Sequence, residues 1–126
     1  MPLTVAALMV LLLAIIAGSL TPARWMPSWL PNDKLLHAMA YGLAAMLLFL
    51  QLGDPWDRLW ALAALLMMGW GLECLQQRLV HGREFSKGDL IANGVGVLLG
   101  VGLAIGWGAW HGAPEIIGAS MALPRQ

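Results

Sequence analysis

Four apolar runs divide the chain, and turn-forming or charged residues separate them. The first run is Leu3 to Leu20. The second covers about 33–52 and opens behind Pro31, where Asn32 or Asp33 can accept from the backbone N–H groups of a first helical turn. Gly53-Asp54-Pro55 then reads as a short turn, with Asp54 as N-cap and Pro55 at the first helical position. The third run covers about 56–77 and ends in Gln76, Gln77 and Arg78. Val80 to Lys87 is the most polar stretch. In it Ser86, followed three residues later by Asp89, resembles a capping box with Asp in place of Glu. The fourth run covers about 88–110, and the tail 111–126 carries Gly and Pro and no assigned role.

Runs of this length cross a hydrocarbon core of about 30 Å at a rise of ~1.5 Å per residue. Irregular backbone cannot face lipid, so each run is expected to be a helix. The expectation is an all-α membrane protein, a single domain over 1–126, built as a bundle of about four transmembrane helices with both termini on one side. The first run has no Lys or Arg before it and a poor cleavage context at Thr21-Pro22-Ala23-Arg24, which predicts a retained span rather than a cleaved leader.

Composition agrees with the pattern. Hydrophobic residues make up 60% of the 126, charged residues only 11%, and mean hydropathy is +0.73. So small a soluble core could not hide that much apolar surface. A formal net charge of zero and the absence of basic or acidic tracts exclude an electrostatic nucleic-acid binder. Cys74 is the only cysteine, so neither an internal disulfide nor a CxxC metal site is available, and its apolar surroundings predict a buried structural thiol. On the fourth run Gly96 and Gly100, and then Gly102 and Gly106, are small-xxx-small pairs, which predict close helix packing, within the bundle rather than on a dimer face.

Parity of the four spans sends the loop of Asp33 and Lys34 and the loop of His81, Arg83 and Ser86 to one membrane face, and only Asp54, Asp57 and Arg58 to the other. The polar residues inside the helices lean the same way. Asp33, His37 and Tyr41 follow i, i+4, i+8 spacing and form one stripe; Glu73 lies about a turn inside Gln76; Asp89 and Asn93 are an i, i+4 pair. Unpaired ionisable groups at this depth cost roughly 2.5–3.5 kcal/mol each on insertion scales, so they are expected to face one another. Capping, snorkelling and interfacial anchoring account for Asp33, Lys34, Tyr41, Asp89 and Asn93 taken singly, but not for His37 and Glu73.

Three elements resemble the VanZ-like family of small membrane proteins. Asp33-Lys34-Leu35-Leu36-His37-Ala38-Met39-Ala40-Tyr41 resembles its D-K-x-x-H-x-x-x-Y. Glu73-Cys74-Leu75-Gln76 resembles its E-x-x-Q. The stretch Arg83 to Gly94, with Ser86, Asp89 and Asn93, resembles its R-x-x-S-x-x-D-x-x-x-N-G. The similarity runs over about residues 31–100 and leaves out the first run and the tail. The family takes its name from an accessory determinant of resistance to teicoplanin. The resemblance therefore implies a cell-envelope context and an integral protein of the bacterial inner membrane, and it supplies no reaction.

Two classes of function fit these residues. In the first, the cluster binds or acts on a membrane lipid or a lipid-linked, phosphorylated envelope intermediate. Lys34 and Arg83 then meet anionic oxygens, with Tyr41, Gln76, Ser86 and Asn93 as further contacts. His37, Glu73, Asp89 and Asp33 exchange or orient a proton. In the second, the protein is a non-catalytic scaffold with a structural polar core. Transport is disfavoured, because the far side offers no polar path. His37, Glu73 and Asp89 have the chemistry for a divalent cation, but neither HExxH nor paired-His spacing selects a metal, and none is assigned. Arg24, Lys34, Arg78, Arg83 and Lys87 against Arg58 and Arg125 favour the polar face in the cytoplasm.

Overall fold

The computed structural model describes residues 2–22, 25, 28–29, 33–80, 82 and 84–111, with the side chains of residues 2 and 33 excepted. The described residues form four helices and no strand: α1 (Pro2–Leu20), α2 (Asp33–Gln51), α3 (Pro55–Leu79) and α4 (Lys87–Trp110). All four are long and apolar enough to cross a membrane, which fits an integral membrane protein. Their outer faces carry Met9, Leu13, Met39, Leu43, Leu66, Met67, Trp70, Leu98, Leu99 and Leu103, all exposed. In water these would be a liability, whereas lipid solvates them.

The helix starts follow from local chemistry. Asp54 accepts from the backbone N–H groups of Trp56 (2.8 Å) and Asp57 (3.3 Å), and Pro55 takes the first helical position, where its missing N–H costs nothing. α3 runs two residues further than its apolar pattern, to Leu79. The backbone turns extended at Val80, and Gly82 follows with a φ of +80° that suits glycine. At the far end Arg58 is a cap that the sequence did not advertise. Its Nε donates to the carbonyls of Leu52 (2.6 Å) and Phe49 (3.1 Å) at the C-terminus of α2, and its guanidinium lies over the Phe49 ring.

α2 and α4 approach most closely. A Cβ on Gly96 would strike the backbone carbonyl of Ala38, one on Gly100 would strike the carbonyl of Gly42, and one on Gly42 would sit 2.9 Å from the carbonyl oxygen of Gly96. The small residues therefore come from both helices, as Ala38 and Gly42 against Gly96 and Gly100. The second pair is corrected: Gly102 and Gly106 are exposed, and a Cβ on either meets nothing. Ile15 of α1, Ala44, Ala45, Leu65, Leu72 and Val97 make the small apolar core, with Leu8, Leu11, Leu12 and Ile16 of α1 packed against it. Cys74 is half-buried, more open than its apolar run suggested.

Candidate functional site

The C-terminal ends of α1 and α3 and the N-terminal ends of α2 and α4 share one end of the bundle. Interhelical bonds of Gln76, Lys34 and Ser86 establish this, as parity required. The buried polar residues Glu73, Gln76, Asp89 and Asn93 all lie toward that end. On α3, Gly69, Leu72, Glu73 and Gln76 form the buried stripe. On α4, Asp89, Asn93, Gly96, Val97, Gly100 and Ala104 do. The polar site is thus the membrane-face end of the same helix surfaces that make the core.

Asp89 is the hub. Its carboxylate, 5% exposed, lies 3.6 Å from Lys34 Nζ through Oδ1 and 3.7 Å from His37 Nε2 through Oδ2. The other imidazole nitrogen, Nδ1, is 2.8 Å from Asn93 Oδ1. With that oxygen as acceptor, Nδ1 carries the proton and Nε2 faces the carboxylate. Tyr41 lies one turn deeper on α2, buried, with its ring stacked on that of His37. The imidazole is thereby hydrogen-bonded at Nδ1, faces the Asp89 carboxylate through Nε2 and lies parallel to the Tyr41 ring at 6.2 Å between centroids.

Ser86 caps α4 through Oγ, which accepts from the N–H of Asp89 at 3.2 Å. A capping box would return the N3 carboxylate to the N-cap N–H. Here the N–H of Ser86 instead donates to Glu73 Oε2 at 3.2 Å. The acceptor comes from α3, and the carboxylate of Asp89 engages Lys34 and His37. That exchange converts a local cap into a junction of three helices. His37, Glu73 and Asp89 each offer a ligand atom, and these atoms lie within 4.8 Å of one another.

Gln76 sits apart from this group. Its Nε2 donates to the carbonyl of Ser19 at 2.6 Å and ties the last turn of α1 to α3. Of the other site residues read from the sequence, Asp33 begins α2 with its side chain outside the described residues, and Arg83, like His81, lies outside them altogether.

Two glycines in the site carried no weight in the sequence. A Cβ on Gly69 would meet Asn93 Nδ2 at 2.7 Å and the Tyr41 hydroxyl at 3.0 Å. One on Gly88 would meet Lys34 Cε at 2.7 Å, so the bare backbone there lets Lys34 lie across the start of α4 to reach Asp89. Gly69 stands one turn before Glu73 on the same helix face, and that i−4 spacing was the available signal.

Gln76→Leu is expected to remove the tie to α1 and leave a carbonyl of its last turn without this donor, at a cost of about 1–3 kcal/mol. Chemical denaturation in detergent measures it. Unchanged stability would show that α1 docks through its apolar face alone.

Comparison with family models, with curated proteins and with solved structures returns no match.

Proposed function

We propose that this chain is a VanZ-like protein of a bacterial inner membrane, and that it binds or acts on a lipid-linked or phosphorylated headgroup at the end of the bundle where Lys34, His37, Ser86 and Asp89 meet. The observation that carries this reading is the sharing of one buried carboxylate between two cationic or protonatable groups at the end of the bundle where α2 and α4 begin. Asp89 orients both the ammonium of Lys34 and the imidazole of His37. Lys34 has a side chain 60% exposed, so its ammonium can turn from Asp89 to an anionic oxygen arriving from the membrane surface. His37, only 11% exposed and flanked by Asp89 and Asn93, is placed to hold or pass a proton beside that oxygen. The N-terminal end of α4 adds a positive dipole end. Residues of the three motif elements contribute side chains to this one end of the bundle, which supports the resemblance to the VanZ-like family.

The scaffold reading draws on Gln76, whose hydrogen bond serves helix packing. Titration of the purified chain with undecaprenyl phosphate, followed by native mass spectrometry, separates the two. The lipid phosphate is expected to be retained over phosphatidylcholine. Lys34→Ala is expected to lower retention about tenfold, the equivalent of roughly 1.4 kcal/mol for one charge-assisted hydrogen bond. Equal retention of the two lipids, or retention unaffected by Lys34→Ala, would leave the scaffold reading in its place.

A further inference from the structure

We infer that His37, Glu73 and Asp89 form a binding site for one divalent transition-metal ion at the junction of α2, α3 and α4. What the ion would do rests on the headgroup reading; where it binds rests on the donors alone.

The donors come from three different helices, so no sequence spacing could announce the set. Three atoms within 4.8 Å of one another lie at most about 2.8 Å from a common centre. Metal–nitrogen and metal–oxygen bonds are about 2.0–2.2 Å, so a small turn of each side chain closes the site. Glu73 and Asp89 are buried and His37 nearly so. One imidazole and two carboxylates are a donor set for Mn²⁺ or Zn²⁺ rather than for a thiophilic ion.

The surroundings supply what metal-binding side chains require. A ligating histidine donates its other N–H to an oxygen, which fixes the tautomer and aims the free lone pair at the metal. Asn93 Oδ1, 2.8 Å from Nδ1, is that oxygen, and Nε2 then points at the carboxylate of Asp89. Glu73 is held by the N–H of Ser86, and the cap on Ser86 positions Asp89. A lone pair facing a carboxylate at 3.7 Å is repulsive unless a positive charge lies between them or a proton sits on Nε2.

A second observation points to a missing partner next to the cluster, on the side of Gly69 and Tyr41. Asn93 is 2% exposed, and its Nδ2 is buried with no hydrogen-bond partner among the described residues. A buried amide donor without an acceptor is costly. An oxygen ligand carried into the cluster on the ion, a water or a phosphate oxygen, offers such an acceptor. Lys34 competes with the ion for Asp89 and can swing outward to bind an anion that the ion also holds.

The test uses the whole chain in detergent, stripped of metal and titrated with Mn²⁺, with electron paramagnetic resonance as the readout. Loss of the free six-line signal is expected to saturate at one Mn²⁺ per chain, and pulsed spectra of the wild type should carry the ¹⁴N coupling of one imidazole. Glu73→Gln and Asp89→Asn should each abolish stoichiometric binding. Asn93→Ala, a positioning change, should weaken it about 10–100-fold. Lys34→Met should tighten it severalfold, a gain that misfolding cannot produce. No stoichiometric binding, or bound Mn²⁺ without ¹⁴N coupling, would overturn the site and assign the charge at Nε2 to a proton. The lipid-phosphate titration repeated with EDTA distinguishes the two readings. Unchanged lipid retention in EDTA removes the ion from headgroup binding, and the site itself stands or falls on the Mn²⁺ titration. Stoichiometric, ¹⁴N-coupled metal without lipid retention removes the headgroup reading alone.

Discussion

Leucine at Gly100 is expected to force α2 and α4 apart and to lower the thermal midpoint in detergent by about 10 °C or more. A Cβ at this position runs into the backbone carbonyl of Gly42, and backbone cannot turn aside as a flexible side chain can. Relief requires the helices to separate, which strips contact from Tyr41, Ala44, Ala45 and Val97 together. Overpacking of rigid contacts costs about 1–3 kcal/mol and sometimes more, and 1 kcal/mol moves the midpoint of a chain this size by roughly 3–6 °C. Gly96→Leu should behave alike, because its Cβ would strike the carbonyl of Ala38. Gly102→Leu is the internal control. That position is exposed and a Cβ there meets nothing, so its midpoint should stay within a degree or two of wild type, roughly the span of a surface change. A Gly100→Leu protein as stable as Gly102→Leu would remove the close approach of α2 and α4 from the fold.

Glu73→Gln and Asp89→Asn are expected to abolish function in a deletion strain while leaving the protein inserted and folded. Both replacements keep volume. The amide that replaces the Glu73 carboxylate would still offer a carbonyl to the N–H of Ser86, so the start of α4 stays in place. What disappears is charge. A neutral amide in place of the Asp89 carboxylate would no longer hold Lys34 and His37 by electrostatics, and each variant turns one carboxylate donor of the cluster into a weak ligand. Glu73→Ala serves as the structural comparison. It empties a site only 2% exposed and strips the acceptor from Ser86, so it should also lower the midpoint, by about 1–3 kcal/mol of stability. Complementation with membrane levels quantified in parallel is the measurement. Full complementation by both charge-removing variants at normal levels would mean that the polar cluster is structural.

Four spans, their ends to within three residues, the caps at Asp54 and Ser86, and the gathering of polar residues at one end were all legible in the order of residues. These properties are local. Span length, proline at a first turn and i, i+4 spacing act within one helix, and the parity of four crossings follows from counting them. Which glycines meet a neighbour was not local. Gly96 and Gly100 share their spacing with Gly102 and Gly106, but only the first pair faces α2, because the rotation of α4 is set by the whole stripe from Asp89 to Ala104. The partners of the polar groups were likewise decided by packing. Asp89 lies within reach of the Ser86 N–H in sequence, yet Glu73 takes that bond and Asp89 turns to Lys34 and His37. Gln76 follows the E-x-x-Q spacing beside Glu73 and still points away, to α1. A sequence determines which residues a helix presents at each depth. The angle at which neighbouring helices dock determines which of them touch, and that angle depends on every contact along the interface at once.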